Sequence, residues 1–86
     1  MKIYIVQGNT GEWDSYQDWT VCACSTESGA KARIDKLVHL MMEINPKFGD
    51  KDAIEKMRTH KDGDPQFDTD TTGASYDYYE TELIEE

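Results

Sequence analysis

The sequence predicts a single α+β domain: a three-stranded antiparallel sheet in the spatial order 2-1-3, with one long helix packed on one face and a short second helix. Three observations predict it. A β-branched and aromatic run opens the chain at Lys2-Ile3-Tyr4-Ile5-Val6-Gln7, apolar residues recur at spacings of three and four through the middle, and an aromatic, alternating run closes it from Tyr76 to Ile84. Eighty-six residues support one core and are too few for two, so one domain is expected over 1–86.

The elements follow in the order strand, strand, helix, helix, strand. In the first strand Ile3 and Ile5 lie on one face and Tyr4 and Val6 on the other. Gly8-Asn9-Thr10-Gly11 is rich in turn formers and opens a connection reaching about Tyr16, too long for a two-residue hairpin turn. Asp18 to Cys24 alternates again, with Trp19, Val21 and Ala23 to one side, as the second strand of a hairpin. Ser25 and Thr26 can accept bonds from the free amides of a helix start, and Glu27 suits the positive end of its dipole. The helix carries Ala30, Ile34, Leu37, Met41 and Ile44 on one stripe, widened by Val38, while Lys31, Asp35, Lys36 and Glu43 lie mostly elsewhere. Pro46 ends it, because proline cannot donate to the preceding turn and biases Asn45 away from helical dihedrals.

Gly49 and Asp50 permit a restart, in which Ala53, Ile54 and Met57 form a short apolar edge before His60. From Asp62 to Ser75 the chain reads as an acidic loop with Phe67 as its one large apolar anchor, and a loop of that length marks a place to seek a contact surface. In the last strand Tyr79, Thr81 and Leu83 face one way and Tyr78, Glu80 and Glu82 the other, with Tyr79 and Leu83 expected on the core side. Setting this strand beside the first puts the most apolar strand at the centre and the acid-bearing strand at an edge, where charge discourages unwanted pairing.

Charge is segmental. The chain has nine Lys and Arg against eighteen Asp and Glu, a formal net charge of −9; residues 1–61 hold nine of each sign, and residues 62–86 hold nine acids and no base. Phosphate contact needs clustered Lys and Arg, so direct binding to nucleic acid or to an anionic membrane is disfavoured and a basic partner is favoured. No run of about 18 apolar residues is present to span a bilayer. With the first strand beginning at Lys2 there is no room for a signal sequence, and a cytoplasmic location is expected.

Chemistry-bearing patterns are sparse. Cys22-Ala23-Cys24 puts two thiols on one strand face about 6.6 Å apart by strand rise, at the limit of disulfide geometry, so two reduced, partly buried thiols are expected. Zinc would need ligands beyond these and His39 or His60. Asp68-Thr69-Asp70-Thr71-Thr72-Gly73 is the first half of a calcium loop, but the twelfth place is Tyr79 where a bidentate Glu is needed, and an ordinary Asp/Thr turn is the plainer reading. Cys22 with His39 lacks a third orienting group, and no phosphate cradle or dinucleotide fingerprint occurs; no catalytic residues, metal or cofactor are expected.

The partner-binding residues read from this pattern are Asp64, Asp68, Asp70, Asp77, Tyr78, Glu80 and Glu82. Duplex DNA carries about one charge per 1.7 Å of axis, and a dense carboxylate array can occupy the basic channel built for it. A solvated face that confers solubility is the plain alternative. Of Tyr76, Tyr78 and Tyr79, one is expected in the core and two beside the acids, where tyrosine suits an interface hot spot.

A first strand running into Thr10-Gly11-Glu12, an aromatic strand with Trp19-x-Val21-x-Ala23, a helix, and Asp70-x-Thr72-Gly73 leading to Tyr79-x-Thr81-Glu82-Leu83 together resemble a group of small phage and prophage proteins over nearly the whole chain. The resemblance implies an origin and no particular activity. Small acidic phage proteins include anti-CRISPR proteins and DNA mimics. The expectation is therefore a non-enzymatic inhibitor, acting in the host cytoplasm, that occupies a basic surface of a host protein such as a CRISPR effector or another DNA-handling complex. The alternatives are a phage accessory or structural protein acting through self-association as a homodimer, and a divalent-cation-binding module.

Overall fold

The computed structural model describes residues 1–84; Glu85 and Glu86, which count among the acids of the closing segment and fall within the expected 1–86 domain, lie outside the described residues. Three strands, β1 (Lys2–Thr10), β2 (Gln17–Cys24) and β3 (Ala74–Glu82), form one antiparallel sheet in the order β2-β1-β3. Two helices, α1 (Glu27–Ile44) and α2 (Lys51–Thr59), intervene between β2 and β3. The α+β class, the antiparallel pairing and the 2-1-3 order are those the sequence predicts.

Local chemistry sets the element ends. Thr26 caps α1 by accepting from the Gly29 amide at 3.0 Å, a contact worth about 1 kcal/mol. Asn45 closes α1 in the left-handed region with φ 53°, the conformation asparagine tolerates, and Pro46 follows. Asp50 caps α2 through the Ala53 amide at 3.1 Å. β1 extends beyond Gln7 to Thr10, so Gly8, which resembles a turn former, lies inside the central strand.

The core sits between the sheet and α1. Val6, Ala30 and Leu37 form one fully buried cluster, joined by Tyr4, Val21, Cys22, Cys24, Ile34, Tyr76 and Tyr78. Leu40, Met57 and Phe67 form a second that binds α2 and the acidic loop to α1. Phe67 is the loop's anchor, as its sequence suggests, and burying such a ring contributes about 2–3 kcal/mol. The other face of the sheet carries no helix. Both cysteines are free and half-buried on the helix side, with sulfurs 3.9 Å apart.

Two facings differ from expectation. Tyr76 and Tyr78 turn toward the helix, whereas Tyr79 and Leu83 are exposed, because β3 pairs with β1 in the register Tyr78↔Val6 and inherits Val6's face. In β2 the register shifts at Val6/Gln7, leaving Val21 as an extra residue; Trp19 opposite Gly8 and Cys22 opposite Val6 then share the helix side, and Ala23 faces away. A β-bulge breaks the Trp19-Val21-Ala23 alternation that a regular strand would keep.

Candidate functional site: the hairpin end of the sheet

The seven predicted partner-binding residues separate into three places. Asp64 is fully buried, a correction to its expected place on the surface. Its Oδ2 accepts from Trp19 Nε1 at 2.6 Å and from the Tyr76 hydroxyl at 2.8 Å, and its Oδ1 accepts from the Gln66 amide at 3.1 Å. The geometry follows from one row of the sheet. Trp19, Gly8 and Tyr76 lie side by side on β2, β1 and β3, and a Cβ on Gly8 would stand 2.5 Å from the indole ring. The glycine leaves a gap that the Trp19 ring occupies, bringing indole and phenol to one carboxylate. Arg33 holds the loop from α1, donating to the carbonyls of Asp62 and Gly63 at 3.1 and 2.8 Å. Burial, then the bond to Asp64 and its negative charge, push the Tyr76 phenol far above its ordinary pKa of 10.0 against the smaller opposing pull of Arg33.

Tyr78, Glu80 and Glu82 lie toward the opposite end of the sheet, on the helix side. Tyr78 packs into the core cluster and sets its ring edge-on to Tyr4 at 6.2 Å. Glu80 accepts from the Tyr4 hydroxyl at 3.3 Å and stands 3.8 Å from Lys2 Nζ, and Glu82 stands 3.6 Å from the amino terminus. These carboxylates share a face, as their two-residue spacing requires, yet the chain's own cations stand beside them.

Asp68, Asp70 and Asp77 belong to the end where β1 turns into β2. Asp70 is tied to that turn: the Thr10 hydroxyl accepts from the Asp70 amide at 3.0 Å and donates to the Gly73 carbonyl at 2.8 Å. The Asp70 carboxylate accepts from the Thr72 hydroxyl at 2.5 Å and its amide at 2.8 Å, and these bonds hold its pKa below the ordinary value. It is an Asp/Thr turn of the plain kind. Asp68 Oδ1 accepts from the Thr69 amide at 2.8 Å. Asp77 is exposed, on the uncovered face of the sheet, opposite Gln7.

Residues that the sequence pattern does not single out complete this end. The connection from Gly11 to Tyr16 is a tight turn, with one turn of 3-10 helix at Trp13–Ser15. The Ser15 amide and hydroxyl donate to the Glu12 carbonyl at 3.1 and 2.8 Å, and the Ser15 hydroxyl accepts from the Glu12 amide at 3.3 Å. Gly11, with φ 88°, passes so near Ser15 that a Cβ would lie 2.3 Å from its carbonyl oxygen. On this turn Trp13 is 93 % exposed and Tyr16 50 % exposed, and Trp13 holds φ 53°, a left-handed conformation costing a bulky residue about 1–2 kcal/mol. Glu12 and Asp14 flank it, and Asp18 follows on the uncovered face opposite Asn9. The available signal is two aromatics in a loop, Trp13 and Tyr16, with Asp14 between them and Glu12 and Asp18 close by in the chain.

Among the described residues, none of Glu12, Asp14, Asp18, Asp68, Asp70 or Asp77 has a Lys, Arg or amino-terminal nitrogen within 4.0 Å. Eight of the nine basic residues fall between Lys31 and Lys61, in the helical half of the chain, and the ninth, Lys2, is the partner of Glu80. The carboxylates of the hairpin end are thus outside bridging distance of the chain's cations, although Arg58 comes near them, donating to the carbonyl of Phe67, next to Asp68, at 2.7 Å. Among the described residues no group of three or more His, Cys, Asp or Glu is placed to hold a metal ion, and no helix is long and apolar enough to cross a membrane. Compared with protein-family models, curated proteins and solved structures, the chain matches none.

Proposed function

We propose that the chain is a non-catalytic binding protein whose hairpin end occupies a cationic surface on a protein partner. The observation that carries this reading is a set of unpaired carboxylates at one end of the sheet, with no Lys, Arg or amino-terminal nitrogen within 4.0 Å among the described residues, in a chain whose basic residues fall almost entirely within its helical segment. Such a field steers a cationic partner toward one end of the molecule and repels nucleic acid. The carboxylates that support the reading are Glu12, Asp14, Asp18, Asp68, Asp70 and Asp77; Asp64 is withdrawn from the set because it is buried, and Glu80 and Glu82 face the chain's own cations. The resemblance to small phage proteins directs the proposal to a host nucleic-acid-handling or defence complex, a CRISPR effector among them, in the host cytoplasm. The test measures binding of the intact chain to such complexes in competition with duplex DNA. Mutual exclusion with DNA, weakening with added salt, and loss of binding in a variant carrying Glu12→Gln, Asp14→Asn, Asp18→Asn and Asp77→Asn are expected. Binding indifferent to salt and to that variant would defeat the proposal.

A second reading has its own observation. At the end of the sheet where Glu80 and Glu82 meet Lys2 and the amino terminus, Met1, Tyr79, Leu83 and Ile84 are exposed. We propose self-association through this apolar part as the alternative function. Sedimentation would then give a dimer insensitive to salt and dispersed by Tyr79→Lys, and a monomer at all concentrations removes the reading.

A further inference from the structure

We propose that Trp13 is the anchor of the binding surface and that the group it receives is an arginine guanidinium of the partner, stacked on the exposed indole and held at its edges by Glu12, Asp14 and Asp18. The inference rests on the reading above and makes it specific: it names the contact and distinguishes arginine from lysine as its complement.

Four facts carry it. Trp13 is 93 % exposed, so nearly all of the largest apolar side chain in the sequence faces water. A tryptophan in that state is an unmet contact, and tryptophan is among the residues most enriched where binding energy concentrates. The turn presenting it is fixed by the Glu12–Ser15 hydrogen bonds and the close passage of Gly11 past Ser15, so little order remains to be gained on binding. The backbone at Trp13 is held at φ 53° where a non-glycine residue is disfavoured, and such strain concentrates at contact sites. Carboxylates stand on both sides in the chain, at Glu12 and Asp14, with Asp18 beyond Tyr16.

The chemistry of the complement follows. An indole face bears a negative quadrupole and attracts a cation, and the neighbouring carboxylates attract the same charge. Guanidinium is planar, weakly hydrated and carries a fork of donors, so it can lie flat on the ring while its edges donate to carboxylates; ammonium is a compact, strongly hydrated charge that gains less from the ring. An aliphatic partner pocket would accept the indole but leave Glu12 and Asp14 to be desolvated without partners, at a cost that disfavours it.

The two tryptophans allow a direct measurement, because Trp19 is half-buried and bonded to Asp64 while Trp13 is in water. Oligo-arginine and oligo-lysine peptides of equal length are titrated against the intact chain, following tryptophan fluorescence and, independently, peptide anisotropy. Arginine peptide should bind roughly three- to tenfold more tightly than lysine peptide, the range expected of a partly exposed cation–π contact. Trp13→Leu should bring the two affinities together without changing the melting temperature by more than a few degrees, and Trp13→Phe should keep part of the preference. Glu12→Gln with Asp14→Asn should weaken both peptides. If neither peptide binds, the proposed function itself fails. If both bind and the arginine preference is absent, or survives in Trp13→Leu, the function stands and the role assigned here to Trp13 is overturned.

Discussion

Asp64 and the carboxylates of the hairpin end use the same functional group for opposite purposes. Asp64 is sealed beneath Trp19 and Tyr76 with its oxygens met by indole, phenol and amide donors. Asp18 and Asp77 stand on an uncovered sheet face with no cation within bridging distance among the described residues. Inside, a carboxylate is an acceptor that organises donors; outside, it is a source of field. The difference lies in which neighbours the fold supplies. Changes at Asp64 should therefore cost stability, and changes at the hairpin end should cost binding.

The largest expected effect is at the interior carboxylate. Asp64→Ala strands the Trp19 and Tyr76 donors and should lower unfolding free energy by about 3 kcal/mol, a fall in melting temperature of roughly 10–20 °C by calorimetry. A drop under a few degrees would break the comparison, since Asp64 would then be no more structural than a surface acid. Gly8→Ala should follow at about 1–3 kcal/mol in urea unfolding, because the added methyl group meets the Trp19 ring at 2.5 Å. Its binding to basic peptides should be unchanged per folded molecule.

The same centre gives the alkaline limit of stability. The Tyr76 phenol titrates far above 10.0 when folded and near 10.0 when unfolded, so its neutral form is favoured by folding. That contribution is complete below about pH 10 and is lost as pH rises beyond it, since the unfolded chain can then release a proton that the folded chain retains. Urea midpoints should fall as pH rises above about 10, and Tyr76→Phe should flatten the fall.

The hairpin end should respond with the opposite sign. Trp13→Gly removes the cost of a left-handed tryptophan and should leave the fold more stable by about 0.5–1 kcal/mol while losing the arginine preference. A loss of stability would mean that the indole makes an intramolecular contact and is not held out for a partner. Asp18→Asn with Asp77→Asn should move stability by no more than about 0.5 kcal/mol, and relief of like-charge repulsion makes a slight gain the expected direction. Equal loss of stability here and at Asp64 would erase the distinction between the two regions.

Much of the architecture was legible because it is written in local chemistry. The Thr26 cap, the end of α1 before Pro46 and the Asp50 restart each depend on residues within one or two turns of each other, and Phe67 stands out as the one large apolar side chain of its loop. The misreadings share a cause. Alternation shows that Tyr78 and Tyr79 face opposite ways, but only the pairing of β3 with β1 decides which of them meets α1. The bulge at Val21 brings Trp19 to the same face as Cys22 and separates it from Ala23, and nothing in a run of β formers announces it. Trp13 lies in a connection between strands, which carries no periodicity by which to weigh it.

The sequence by itself determined the α+β class, the order of the strands and the excess of carboxylates over cations, since propensity, spacing and ionisation belong to residues and short windows of chain. Only the tertiary structure decided the destination of each carboxylate, because burial and charge pairing depend on groups far apart in the chain. Asp64 becomes an interior acceptor through Trp19, forty-five residues away, and Glu80 faces a lysine, Lys2, from the opposite end of the chain. Glu12, Asp14 and Asp18 join Asp70 and Asp77 at one end of the sheet because β1 pairs with both of its neighbours there.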